Sequence, residues 1–381
     1  MKKLLKASLA GVMSLSLVAC GGSDSDANTG SDADKSASDM KVAMITDYGD
    51  ITDQSFNQTT YESAKAWSEK NGVEFNYYKP ASDSDADRES SIEKAIEEGY
   101  NVIVMPGYAF AKSVVDEAGT YPDTKFVALD VSQFDLDSAS GKTDWQSDNV
   151  FCAVYQEEIA GYMAGVVAVK LGYKKLGFLG GMAVPAVIRY GYGFVQGANA
   201  AADEMGVKDL EIKYAYGNQF FGDADITARM DTWYGGGTEL VFACGGAIYT
   251  SAAEAAVKTN GKVIGVDVDQ APTIDGKYGE GLTVTSAMKG LAATVETLLT
   301  AIHDGKWDEY SGKLMNLGLV SENPEENYVQ LPSSTQFGDN FTEDDYKALV
   351  ADIYNGKITI DNAVDTDMST VAHVEFEGNI K

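Results

Sequence analysis

The sequence predicts an α/β protein of two doubly wound parallel-sheet lobes with a ligand cleft between them. Three observations carry this reading. From Met40 onward, short apolar runs alternate with amphipathic helical stretches. The alternation restarts near Tyr155 and produces a second unit of similar size. Most of the apolar runs end in Asp or Gly, the residues that mark the carboxyl edge of a parallel sheet, where ligands sit.

The elements follow in order. "KVAMIT" (41–46) reads as a buried strand, and 59–71 as a helix ended by Gly72. "VEFNYY" (73–78) is a strand, "RESSIEKAIEEG" a helix, "NVIVMPG" (101–107) a strand, 112–118 a helix and "KFVALD" (125–130) a strand. The stretch 133–149 reads as a long polar insertion. In the second unit, 155–171, 190–205, 223–234 and 250–260 read as helices. Strands are expected at 174–181, 210–217, 239–246 and 262–269. A strand and helix over 282–307 follow the completed second unit and are expected to return to the first lobe. The expected division is therefore 40–148 plus about 284–310 for the first lobe, and 149–283 plus about 311–381 for the second.

The N-terminus precedes any fold. Lys2, Lys3 and Lys6 form a basic start, and residues 9–18 form an apolar stretch too short to span a membrane. It ends in Leu17-Val18-Ala19-Cys20, the pattern of a lipoprotein signal peptide (1–19), with Cys20 as the lipidated residue. Residues 20–39 are rich in Gly, Ser and Asp with no large apolar side chain after Cys20, so they read as a disordered tether. Nineteen such residues span roughly 25 Å on average. The expected location is the extracytoplasmic face of the cell membrane, held by lipid.

Removing residues 1–19 takes three Lys from the 29 basic residues and none of the 58 acidic ones, so the remainder is strongly acidic. That balance excludes nucleic acid as a partner, because phosphate contacts need a basic surface. Two His leave little material for a His-based zinc site or a Ser-His-Asp triad. Cys152 and Cys244 lie inside apolar runs and read as buried free thiols, with one disulfide as the alternative.

The stretch "TDYGDITDQSFNQ" (46–58) holds Asp47, Asp50 and Asp53 directly after the first strand. Three readings compete: a calcium loop, a helix cap, or the lip of a ligand site. Calcium wants six to eight oxygens, and no second acidic cluster completes the set. Capping by Thr52 or Asp53 leaves Asp47 available to a ligand. "GGMAVPAVIRYGYGFVQG" (180–197) lacks a Gly-Lys-Ser/Thr ending and is no phosphate loop, and its Gly191 and Gly193 suit close helix packing.

Together the lipobox, "DYGDITDQSFNQ", "QEEIAGYMAGVVA", "GYGFVQG", "GVDVDQ" and "TSAMKG" resemble the basic membrane protein family. These are substrate-binding lipoproteins of ABC importers, typified by purine nucleoside receptors. The resemblance spans roughly 41–335 and implies the type I periplasmic-binding-protein fold, with a three-strand hinge. It implies ligand-binding roles for Asp47, Phe56, Asn57, Asp130, Phe221, Gly246, Asp267 and Lys289. Phe56 and Phe221 would sandwich a purine, Asp267 would hold the ribose, and Phe220 is the weaker choice of second ring. Arg189 and Tyr190 depart from the family pattern.

The expected function is a non-catalytic, monomeric receptor without cofactor or metal. It would deliver a purine nucleoside to a permease driven by an ATPase. Alternatives are a receptor for another ring-bearing ligand such as riboflavin, a nucleoside hydrolase-like enzyme, and a ligand-sensing lipoprotein.

Overall fold

The computed structural model describes residues 39–381 apart from position 48. The signal peptide, Cys20 and nearly all of the tether lie outside the described residues.

The chain first lays down β1 (Lys41–Ile45), β2 (Glu74–Tyr78), β3 (Val102–Pro106), β4 (Lys125–Leu129) and β5 (Val150–Tyr155). It continues through β6 (Lys175–Gly180), β7 (Glu211–Tyr216), β8 (Leu240–Cys244), β9 (Lys262–Asp267) and β10 (Thr283–Lys289). Three shorter returns follow: β11 (Leu314–Leu317), β12 (Val329–Gln330) and β13 (Val374–Asn379). One sheet has the order β11-β5-β4-β3-β1-β2, and the other β12-β10-β9-β8-β6-β7-β13. Pairing is parallel throughout except for β12 against β10. This is the predicted α/β architecture.

One apolar cluster runs from Val42, Val104 and Val127 on the first sheet to Phe178, Phe242 and Ile264 on the second. Separate clusters cover the other face of each sheet. Burial of these continuous aliphatic strands is the main driving force for the fold.

Strand membership corrects the expected lobe boundaries. Val150–Tyr155 and Leu314–Leu317 were assigned to the second lobe, yet they pair with each other and with β4 in the first sheet. Thr283–Lys289 was expected mostly in the first lobe, yet it pairs with β9 in the second sheet. The apolar pattern of a buried strand says that it is covered on both faces, not which sheet it joins. The helix after β10 does cross over. Trp67 on α1 (Phe56–Asn71) donates from Nε1 to Thr300 Oγ1 at 2.9 Å.

The polar stretch 133–149, read from sequence as an insertion, contains a helix. This is α4 (Gln133–Ser140), which follows α2 (Asp85–Glu97) and α3 (Ala111–Thr120). A reciprocal cap between Ser132 and Asp135 starts α4.

The chain passes between the sheets at Gln156, Gly290 and Gly318–Tyr328, and these crossings are laced together. Gln156 N donates to Leu317 O at 3.0 Å, Gly290 N to Tyr328 O at 2.6 Å, and Tyr328 N to Gly318 O at 3.0 Å. A Cβ on Gly318 would sit 1.6 Å from Gln156 Oε1, so a side chain there would require the Gln156 side chain to move. Directly after the first crossing, α5 (Glu157–Lys170) packs on α6 (Pro185–Met205). A Cβ on Gly161, Gly165 or Gly193 would fall 2.1 Å from a backbone oxygen of the facing helix. The helix pair therefore meets backbone to backbone.

Candidate functional site

A cavity of about 430 Å³ opens between the two sheets, beyond their strand ends. Asp47, Phe56, Asn57, Asp130, Phe221, Gly246, Asp267 and Lys289 all line it. The structure thus brings together the whole set expected from sequence.

The opening loop uses its three Asp residues differently. Asp53 caps α1: its carboxylate accepts from the backbone N–H of Ser55 (2.9 Å), Asn57 (2.9 Å) and Gln58 (3.0 Å). Burial raises its pKa against these bonds. Asp50 lies at the exposed rim of the cavity, paired with Lys79 Nζ at 3.0 Å. Asp47 stays on the cavity wall, accepting from Gly49 N–H at 2.6 Å. Among the described residues no group of three or more His, Cys, Asp or Glu is arranged to hold a metal ion.

Asp130 and Asp267 end β4 and β9, and both adopt left-handed backbone conformations, with φ of +62° and +64°. A non-glycine residue held there stores strain, and such strain gathers at ligand sites. Ser55 Oγ donates to Asp267 Oδ2 at 2.5 Å, and Tyr190 Oη donates to Oδ1 at a long 3.4 Å. Burial raises the Asp267 pKa. Asn57 Oδ1 and Asp130 Oδ1 are buried with no hydrogen-bond partner among the described residues. They are acceptors awaiting donors.

Lys289 is almost wholly buried at the end of β10. Its Nζ lies 2.8 Å from Asp130 Oδ2 and 3.1 Å from Glu157 Oε1. The second contact is an ion pair outside hydrogen-bond geometry. Three rings surround the ammonium, with centroids at 4.9 Å (Phe56), 5.2 Å (Tyr155) and 5.8 Å (Tyr190). Burial works against this charge, but Asp130, Glu157 and Asp267 overcome it and raise the Lys289 pKa. Burial pushes the Asp130 carboxyl up to about 6 against the pull of Lys289. Burial also opposes the Glu157 carboxylate, but Lys289 and Arg189 win and hold it below the usual range.

Phe221 is 54% exposed on the loop after β7, where it faces the cavity mouth. Phe220 instead packs over Gly181, where a Cβ would lie 2.4 Å from its ring. Both phenylalanines line the cavity, Phe221 exposed and Phe220 half-buried. Cys152 and Cys244 are buried free thiols, and no disulfide joins them.

Sequence reasoning missed Ser55, Glu157, Arg189 and Tyr190 as parts of the site. Glu157 bridges Lys289 and Arg189, whose Nε donates to Glu157 Oε2 at 2.6 Å. The signal was present: an acidic pair at the head of an apolar helix calls for buried cations. Chemically, the arrangement offers flat rings and carboxylate acceptors. Both of its buried cations are already engaged by carboxylates.

Two parallel-sheet lobes joined by three chain crossings, with a polar and aromatic cavity beside the crossings, form a periplasmic-binding-protein-like fold. The chain belongs to the Bmp family, ABC transporter substrate-binding proteins that are PnrA-like, whose profile matches residues 40–362. It is similar to the ABC transporter nucleoside-binding protein BmpA of Lactococcus lactis, 26% identical over 94% of this chain and 99% of that protein. It is also similar to the CD4+ T-cell-stimulating antigen of Listeria innocua, 29% identical over 80% of this chain and 84% of that one. An uncharacterized lipoprotein of Pyrococcus abyssi is 26% identical over 84% of this chain and 76% of its own length. In fold, the chain resembles an ABC transporter solute-binding protein of Aeropyrum pernix, with TM-score 0.65 and 20% identity over 84% and 87% of the two chains. No helix among the described residues is long and apolar enough to cross a membrane.

Proposed function

We propose that this substrate-binding protein captures a purine nucleoside between its lobes and hands it, unchanged, to a membrane permease driven by a cytoplasmic ATPase. The observation that supports the reading is that Phe56 and Phe221 line one cavity from different lobes, together with Asp47, Asp130 and Asp267. Rings on two sides suit a flat base, whose stacking is worth about 1–3 kcal/mol. Carboxylates suit base N–H groups and the vicinal hydroxyls of ribose. With Lys289 and Arg189 already paired, a phosphate finds repulsion rather than a partner, which favours nucleosides over nucleotides. The nucleoside-binding name of the Lactococcus relative agrees with this reading. The protein acts as a monomer, anchored outside the cell membrane through lipid on Cys20, and performs no catalysis.

Native mass spectrometry of protein purified without refolding tests the ligand class. A retained mass matching a purine nucleoside supports the proposal. A retained flavin, or another ring-bearing molecule, overturns it. Release of free base from inosine, guanosine or adenosine at turnover would instead establish a hydrolase.

A further inference from the structure

The C-terminal segment beyond the family match ends against the loop that carries Phe221. β13 adds a parallel strand to the outer edge of β7, with Val374 opposite Ile212 and Asn379 opposite Tyr216. It is anchored firmly. The Phe376 ring meets the Tyr214 ring at 5.9 Å, and Glu377 accepts from Trp233 Nε1 at 3.1 Å and pairs with Arg229. The family profile stops at residue 362, so this strand is outside what the matched region defines.

The strand does not stop at the sheet edge. Ile380 N donates to Tyr216 O at 2.8 Å, which carries the chain to the point where β7 becomes the Phe221 loop. Lys381 Nζ then donates to Gln219 Oε1 at 3.1 Å and pairs with Asp223. Gln219 in turn donates from Nε2 to Phe221 O at 2.8 Å and to Asp223 Oδ2 at 3.0 Å. Asp223 is also the N-cap of the helix Ala224–Gly235, accepting from Asp225 N and Ile226 N at 3.0 Å. Lys381 therefore clasps both ends of the short loop whose middle residue is the exposed ring. Without the clasp, the Gln219 side chain keeps only bonds within its own loop, and the loop is tied to the rest of the lobe at its base and back, by Asn218 N to Gly181 O (2.9 Å), Ala247 N to Phe220 O (2.9 Å) and Ser251 Oγ to Asp223 O (3.2 Å).

We propose that Ile380 and Lys381 are positioning residues for the ligand: the C-terminal strap holds the Phe221 ring in the pose that stacks on the base. The inference rests on the stacking role of Phe221 proposed above. It assigns ligand affinity to a segment more distant in sequence from the cavity than any lining residue. A ring held in place loses less freedom on binding, so the strap should act on the lifetime of the complex.

The test compares the full chain with Lys381→Ala, Lys381→Arg, a chain ending at Asn379, and Phe221→Ala alone and combined with each. Inosine is the probe. Calorimetry gives affinity, stopped-flow fluorescence gives the dissociation rate, and thermal melts confirm folding. The expected result is a several-fold faster dissociation and weaker binding for Lys381→Ala and the shortened chain. Lys381→Arg should stay near the parent, and the loss should vanish in the Phe221→Ala background. If the shortened chain binds like the parent while Phe221→Ala is weak, the strap proposal is wrong and stacking stands. If the shortened chain loses as much affinity with Phe221 as without it, the strap acts elsewhere and the proposal is also wrong. If Phe221→Ala binds like the parent, the stacking reading falls and takes the strap with it.

Discussion

Lys289 Nζ lies 2.8 Å from Asp130 Oδ2, joining the end of a strand in one sheet to the end of a strand in the other. The pair sits between the lobes, beside the crossings at Gln156 and Gly290, and one atom of it, Asp130 Oδ1, still lacks a partner. A contact between the two lobes and an unpaired acceptor on the cavity wall thus belong to one buried charge network.

Removing one member of that network should be costly. Lys289→Met leaves Asp130 and Glu157 buried beside a neutral chain. The expected loss of unfolding free energy is about 3–5 kcal/mol, because breaking a buried pair strands a charge. Adding Asp130→Asn to the variant should recover part of it. Urea unfolding measures both, and a Lys289→Met protein within about 1 kcal/mol of the parent would show that the network contributes little.

Glu158 sets a pH dependence. Burial pushes its carboxyl up to about 7, with Glu157 adding to the shift, and its Oε2 is buried without a hydrogen-bond partner. An acid whose folded-state pKa exceeds its unfolded value holds its proton more tightly when folded. The stabilisation is complete below the ordinary value of 4.5 and is lost as pH rises through about 7. Asp130, raised to about 6, adds to the same slope. Glu158→Gln cannot ionise, so at about pH 8 it should be more stable than the parent, by on the order of 2 kcal/mol. Below the ordinary carboxylate range the two should be alike. Melts across this range that show no difference would place Glu158 in a wetter environment.

The contact between α5 and α6 should tolerate no added methyl. A Cβ on Gly193 would lie 2.1 Å from Glu158 O, a backbone atom that cannot step aside. Gly193→Ala should cost at least about 1–3 kcal/mol, the usual cost of overpacking. It should also weaken ligand binding, because α5 carries Glu157 and α6 carries Arg189 and Tyr190. A variant with parent stability would mean that the helices separate freely.

The lipid anchor proposed at Cys20 falls outside the described residues, and its test is biochemical. Two acyl chains give stable membrane attachment where one is marginal. Cys20→Ser should remain uncleaved or move to the aqueous phase in detergent partitioning. Identical partitioning of parent and variant would rule out lipid on Cys20.

The strands and helices were legible in the sequence because their periodicities are local. Sheet membership was not, as Val150–Tyr155 and Thr283–Lys289 show, since a buried apolar strand carries no mark of its neighbour. Helix starts slipped where side chains set them. α1 begins at Phe56 rather than at 59 because Asp53 reaches back over three N–H groups. α6 begins at Pro185 rather than at 190 because Pro suits the first turn. All eight expected cavity residues line the cavity because strand ends and family motifs marked them. Ser55, Glu157 and Tyr190 were missed because their role is to hold Asp267 and Lys289, and such partnerships appear only when distant segments meet.

The central claim is that Phe56 and Phe221 hold a purine nucleoside between the lobes, with Asp267 on the ribose. Calorimetric titration of inosine, guanosine and adenosine into the parent, Phe56→Ala, Phe221→Ala, Asp267→Ala and Asp50→Ala tests it directly, with melts to confirm folding. The account predicts that the parent binds at least one of them and that each Phe variant loses about 1–3 kcal/mol, roughly five- to 150-fold in affinity. Asp267→Ala should lose as much or more through its missing acceptor, while Asp50→Ala, at the exposed rim and already paired with Lys79, should bind nearly as the parent does. Purine nucleoside binding unchanged in both Phe variants, or absent in the parent, would contradict the account.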